Sequence, residues 1–301
     1  MRSPLVCASR DQPSGVEYRA SVLRRVRCVR FAQMARALGA LGLALSASAC
    51  VPTGVTWADE ARRQPGALAD SLALVFDETA PDSLAFVPLW TPPVWPEEPG
   101  LCGTSRRAAQ ALNHEAYASW FQVKSDSSVL LRVARSDDGG LTWNAAVTAD
   151  ATDVGRAGCA RPAPYIAADS LNGYVHLAYH LDAREGAGLF FTHTMERGAL
   201  FHEPVPIVYG DRPSAAAVAS RGDTVVVVYE DPNSRMPRLG LALSRVQGHI
   251  FEHRLSASDE TGEARTPRVA VRGTRILIAW TATQRGGGSP RTVVRTGNLQ
   301  W

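Results

Sequence analysis

Beyond residue 100 the chain alternates short apolar runs, rich in β-branched and aromatic residues, with clusters of Gly, Asp, Asn and Pro. Such alternation predicts strands joined by turns. In one stretch the runs place strands near 163–168, 174–180, 188–194 and 203–208, a four-stranded antiparallel unit. The run Val225–Tyr229 is apolar at every position, so both of its faces are expected to be buried between neighbouring sheets.

The pattern recurs. Arg161-Pro162 leads through Tyr165-Ile166-Ala167 to a run ending at Tyr179. Arg212-Pro213 leads through Ala217-Val218-Ala219 to Tyr229, and Arg265-Thr266-Pro267 leads through Val269-Ala270-Val271 to Trp280. A looser copy begins at Arg107 and reaches Trp120. The aromatic anchors therefore step by 59, 50 and 51 residues. A period near 50 with four strands per copy predicts the blades of a β-propeller. Two facing layers, as in a β-sandwich, are the competing arrangement. The last copy stops at Trp301, where its outer strand should begin. A ring must avoid a bare strand edge, so a strand from the N-terminal side is expected to complete it, either Ser71–Phe76 or Ser83–Val87. The remainder of 60–105 is expected to form one degenerate blade. The expected fold is all-β, a propeller of about five, or six, four-stranded antiparallel blades. Residues 87–98, Pro-rich with Trp90 and Trp95, read as a packed extended connector more than as a recognition strip.

Ser136-x-Asp138-x-Gly140-x-Thr142-Trp143 resembles the Asp-box of sialidase-like (BNR-repeat) β-propellers, with every signature position filled. The parts suit a tight turn: Asp138 accepts from turn amides, glycine tolerates positive φ, and Thr142-Trp143 are expected to re-enter a strand. Decayed versions recur at the same register. Thr194, Glu196, Gly198 and Phe201 match it once; Ser244, Gly248 and Phe251 match it again without the acid. The box is a structural turn and carries no chemistry.

Charge and cysteines locate the protein. Of 32 basic and 29 acidic residues, eight arginines and two acids lie in the first 49 residues, leaving 24 against 27. The remaining chain is mildly acidic, so the basic pI gives no argument for nucleic acid. Arg24, Arg25, Arg27, Arg30 and Arg36 precede an apolar small-residue run, Ala37–Ala49, which reads as an export signal too short to span a bilayer comfortably. Met34 is the alternative start. Ala47-Ser48-Ala49-Cys50 resembles a bacterial lipobox, with Ala47 where leucine is usual, and implies lipidation of Cys50; Ala47-x-Ala49 also suits ordinary secretion. The expected organisation is a signal or extension at 1–49, a linker at 50–70 and the propeller at 71–301. Cys102 and Cys159 then remain as an even pair in an oxidising compartment, a candidate disulfide between neighbouring blades, with two buried thiols as the alternative.

Up-and-down topology puts A–B and C–D turns on one face of each copy, and B–C and D–A loops on the other. The boxes mark the first face. Arg107, Arg161, Arg212 and Arg265 precede the first strand of each copy and fall on the second, joined there by the loop residues His180, Asp182, Glu230 and Asp231. In sialidases, the resemblance implies, that opposite face holds an arginine triad for the substrate carboxylate, a Tyr–Glu nucleophile and an Asp acid. Arginine suits bidentate carboxylate binding; the alternative is that each arginine pairs with a neighbouring acid and stitches blades. Tyr229 and Glu230 are adjacent on a strand and point to opposite faces, so they cannot form the nucleophile pair. Tyr209 with Asp211 is a weak substitute, and no acid–nucleophile pair of the kind glycosidases need can be assembled. His193, His202, His249 and His253 lack a metal-ligand spacing, and no cofactor or metal is expected. The reading is an exported, lipid-anchored, non-catalytic module that binds a glycan or protein on the face opposite the boxes, touching membrane through the anchor alone. An exo-α-sialidase is the alternative, and a scaffold using outer blade edges is a third.

Overall fold

The computed structural model describes residues 54–58, 60–77, 83–169, 171–258 and 262–300. The export signal and Cys50 lie outside them.

The described chain is all β. Two short strands, β1 (Gly54–Trp57) and β2 (Arg62–Pro65), precede a hairpin of β3 (Leu72–Phe76) and β4 (Leu84–Pro88). Four antiparallel sheets follow in chain order. The first comprises β5 (Leu101–Gln110), β6 (Ala116–Val123), β7 (Val129–Ser136) and β8 (Val147–Asp153). The second comprises β9 (Tyr165–Ala168), β10 (Val175–Ala183), β11 (Gly186–Thr194) and β12 (Val205–Tyr209). The third comprises β13 (Ala216–Arg221), β14 (Thr224–Glu230), β15 (Leu239–Ser244) and β16 (His253–Ser256). The fourth comprises β17 (Gly262–Arg272), β18 (Arg275–Gln284) and β19 (Arg291–Gln300), with β1 and β2 paired in line along the free edge of β19.

That last pairing corrects two expectations. The outer strand is supplied by residues 54–57 and 62–65, not by 71–76 or 83–87, and part of the expected linker is therefore sheet. Gly297 permits the close approach: a Cβ there would lie 2.6 Å from Val55 and 2.9 Å from Trp57. The segments 72–76 and 84–88 pair with each other instead.

Alternation along the strands explains how the sheets stack. Side chains i and i+2 share a face. Leu177, Tyr179 and Leu181 on β10 join Tyr117, Phe121, Leu131 and Val133 of the first sheet. Their neighbour Ala178 faces the other way, with Leu189 and Phe191, onto Val225, Val227 and Tyr229. Val226 and Val228 in turn face Ile276, Ile278 and Trp280. Each central strand is thus buried on both faces, which is why its run is continuously apolar. The far face of the fourth sheet, at Leu277 and Ala279, is covered by Leu74 and Leu68 and flanked by Phe76, Leu84 and Phe86 of the hairpin. The far face of the first sheet, at Ala118, Trp120 and Ala134, is covered by Trp95 of the Pro-rich connector. The anchors Trp120, Tyr179, Tyr229 and Trp280 are all buried.

Cys102 on β5 and Cys159 in the segment before β9 form a disulfide, with Cα atoms 5.5 Å apart. It ties the first sheet to the second. No helix of the described residues is long and apolar enough to cross a membrane.

Candidate functional site

Two sets of turns define two faces. On one, the β7–β8 turn is held by its own side chains: Ser136 Oγ accepts from Gly140 N at 2.8 Å, and Asp138 Oδ1 accepts from Leu141 N at 3.0 Å and Thr142 N at 2.9 Å. These bonds hold the Asp138 carboxyl well below the usual carboxylate range; those from Thr142 weigh most. Ser244 Oγ repeats the contact, accepting from Gly248 N at 3.0 Å, and Thr194 Oγ1 accepts from Glu196 N at 3.1 Å. Trp143 does not re-enter a strand, since β8 begins at Val147; its indole N–H instead donates to the Val94 carbonyl at 2.8 Å and pins the connector.

The opposite face collects the β6–β7, β10–β11, β14–β15 and β18–β19 loops and the links between sheets. Gly210 N donates to Ala187 O at 2.8 Å, and Val154 N donates to Asp182 O at 3.0 Å, binding links to loops. A cavity of about 400 Å³ opens here, lined by Asp70, Ser105, Arg107, Tyr165, Ala216 and Arg268 among others. It therefore draws on all four sheets and on the segment before the hairpin.

Ladder register explains which side chains reach it. Arg107 pairs with Ser119, Tyr165 with Ala178 and Arg268 with Ala279, each one residue before the aromatic anchor of its sheet. Three innermost strands therefore present their side chains from one equivalent position. A bulge between Arg265 and Arg268, with Thr266 at φ 58°, shifts the fourth sheet so that Arg268, not Arg265, occupies it. Arg268 is buried; its guanidinium donates to Leu72 O at 2.5 Å and Asp70 O at 2.8 Å, and to Asp70 Oδ1 at 3.2 Å. Arg107 lies 3.6 Å from the same Asp70 carboxylate, whose side chain is 77% exposed. The Arg107 Nε is buried and has no hydrogen-bond partner among the described residues. Burial raises the Tyr165 phenol pKa, against the opposing pull of Arg268 and Arg107.

Arg161 also borders the cavity, but its guanidinium is turned away from it; the remaining candidates lie elsewhere. Arg161 has a fully buried side chain saturated by protein: it pairs with Asp153, donates to Gly158 O at 2.8 Å and His180 O at 3.2 Å, and reaches Asp182 at 3.5 Å. Asp182 also accepts from Ala157 N at 2.6 Å and lies 3.4 Å from His180 Nε2. Burial lowers the His180 pKa. This closed cluster joins the first two sheets. Arg212 is exposed and donates to Asp231 O at 2.6 Å; the Asp231 carboxylate accepts from Asn233 N at 2.9 Å. Arg265 is exposed beside Glu263 at 3.3 Å. Glu230 accepts from Thr266 N at 2.8 Å, and burial raises its pKa. Tyr209 lies on the outermost strand of its sheet, edge-on to Phe190 at 5.8 Å. Of the eight candidates, then, the cavity wall takes Arg107 and Arg161, the latter with its side chain buried and engaged by protein, and adds Arg268, Asp70 and Tyr165, which spacing alone did not single out. The available signal was register counted back from the aromatic anchor.

On the first face, His193 of β11 and the turn residues His202 and His249 come together, their nearest ligand nitrogens all within 4.8 Å.

No protein-family model and no curated protein matches the chain. Among solved structures, a protein of unknown function from Dyadobacter fermentans aligns at TM-score 0.49 and 13% identity over 64% of this chain and 53% of that one. A Hadza microbial sialidase aligns at TM-score 0.42 and 16% identity over 62% of this chain and 45% of that one. An exo-1,5-α-L-arabinanase from a bovine ruminal metagenomic library aligns at TM-score 0.43 and 11% identity over 80% and 91%. The chain spans about half the length of the first two. These are similarities of chain path, and nothing about activity follows from them.

Proposed function

We propose that this is an exported five-bladed propeller, with the β3–β4 hairpin as a reduced blade, that binds an anionic glycan or protein group in the central cavity without catalysis. One observation carries the reading: Arg107 and Arg268 share a single, largely exposed carboxylate, Asp70, and Arg107 keeps a buried donor with no partner. A carboxylate on a ligand would complete that set in bidentate fashion, with Asp70 acting as its internal placeholder. In this reading Arg161, saturated by Asp153 and Asp182, stitches sheets, while Arg212, Arg265, Glu230 and Asp231 form the outer rim. Anchoring through Cys50 completes the reading, and labelled fatty acid retained on wild type but not on Cys50→Ser checks it.

The test is binding of the chain to an array carrying acidic sugars beside their neutral counterparts. Preference for the acidic set, lost at least tenfold in Arg107→Ala, is expected; equal binding of both sets removes the proposal. The same preparations are incubated with a fluorogenic sialoside between about pH 4 and 8. Turnover abolished by Arg107→Ala would replace this reading with the exo-sialidase one.

A further inference from the structure

The three histidines on the turn-bearing face come from two different sheets, His249 more than 40 residues after the other two. His193 is the penultimate residue of β11; His202 follows nine residues on, its backbone N–H donating to the His193 carbonyl at 2.9 Å. His249 comes from the β15–β16 turn of the next sheet. That turn is built to deliver it. Gln247 sits at φ 55° and bonds both backbone and carboxylate of Asp223, while Gly248, at φ 92°, presses on Phe191 so closely that a Cβ would lie 2.3 Å from the ring. The His193 ring centroid is 4.4 Å from each of the His202 and His249 centroids.

The burial pattern is that of a ligand set. His193 is 2% exposed, and its Nε2 has no hydrogen-bond partner among the described residues. A buried ring nitrogen left bare is unfavourable unless something meets it. The other two rings are exposed. Tyr174 stacks on His193 at 5.8 Å, and Phe191 and His176 wall the remaining side and fix the ring; the His176 nitrogens, also buried without partners among the described residues, lie behind it.

We propose that His193, His202 and His249 bind one divalent transition ion of the zinc class, clipping the second sheet to the third. Three imidazoles suit Zn²⁺, Cu²⁺ or Ni²⁺ over the oxygen-seeking Mg²⁺ and Ca²⁺. Tetrahedral zinc at about 2.0–2.1 Å from each nitrogen brings the nitrogens to about 3.4 Å from one another. The ion therefore draws in the exposed rings by roughly an ångström and opens the parallel His193–His202 stack into a converging pair. A fourth position, on the solvent side, takes water.

The experiment uses the full chain purified without a polyhistidine tag, stripped with chelator and titrated with ZnCl₂ by calorimetry. One ion per chain is expected, together with a zinc-dependent rise in the thermal midpoint. The His202→Ala/His249→Ala double variant removes two exposed rings, so it folds as the parent does in the absence of metal. It should bind at least about tenfold more weakly and lose the zinc-dependent rise. Substituted Co²⁺ should give a visible spectrum without sulfur-to-cobalt charge transfer, which excludes cysteine as a ligand. No binding, binding undiminished in the double variant, or a thiolate spectrum would each overturn the proposal.

Discussion

At the residue scale the turn at 136–143 is held by several constraints together. Gly140 meets two constraints at once: its φ is +84°, and a Cβ there would lie 2.7 Å from Pro92. Gly140→Ala should cost about 1–2 kcal/mol from the left-handed backbone alone, and more if the connector cannot yield. Chemical denaturation of the two proteins measures it. Glu230 gives a pH signature. Burial raises its pKa, so between the unfolded and folded values the native chain holds the proton more tightly. Its ionisation therefore lowers stability as pH rises through the folded value, and the whole penalty is present above it. Glutamine keeps an oxygen to accept from Thr266 N without the charge. Glu230→Gln should raise the melting temperature at neutral pH and leave it unchanged at about pH 3, below both values. An equal shift at both would mean that packing, not ionisation, governs the site.

At the element scale two long-range ties hold the ends of the array. The disulfide spans 57 residues. In the chain-entropy model a loop of that size contributes about 4 kcal/mol, so the Cys102→Ser/Cys159→Ser pair should lose stability of that order, matched by reductant acting on the wild type. The second tie is the pairing of β1 and β2 with β19. Trp57 packs with the third and fourth sheets while the Arg295 guanidinium lies 4.5 Å over its ring. Trp57→Ala should cost about 2–3 kcal/mol, below the range for a fully buried tryptophan because this one is half-buried. Loss of β1 and β2 altogether would bare the β19 edge, and light scattering should then report self-association.

At the scale of the whole molecule, Arg107 and Arg268 occupy equivalent ladder positions with opposite duties. Arg268 donates to three carbonyls before and within the hairpin, at Ala69, Asp70 and Leu72, and so joins the fourth sheet to the N-terminal segment. Arg268→Met should cost about 1–3 kcal/mol in unpaired buried groups. Arg107 has an ion pair at 3.6 Å and an idle Nε. Arg107→Ala should leave thermal stability within about 0.5 kcal/mol and still abolish anion binding. Equilibrium unfolding and ligand titration on both variants separate the two duties.

Much of this was legible in the one-dimensional pattern. Strands expected at 174–180 and 188–194 appear as Val175–Ala183 and Gly186–Thr194. The continuous apolarity of Val225–Tyr229 does mark a strand buried on both faces, and the Cys102–Cys159 pair is joined. These features are local or set by a repeat: side-chain period, turn chemistry and copy-to-copy alignment are properties of neighbouring residues. What spacing did not reveal depends on which distant segments meet. One is the use of 54–65 as the closing strand, paired with β19 near the other end of the sequence. Others are the bulge that exchanges Arg265 for Arg268, the placement of Asp70 between two arginines, and the gathering of three histidines from two sheets. Period and composition constrain what each strand buries, but the choice among partners follows from the excluded volume and hydrogen-bond accounting of the assembled sheets, and that is settled only once the chain has folded.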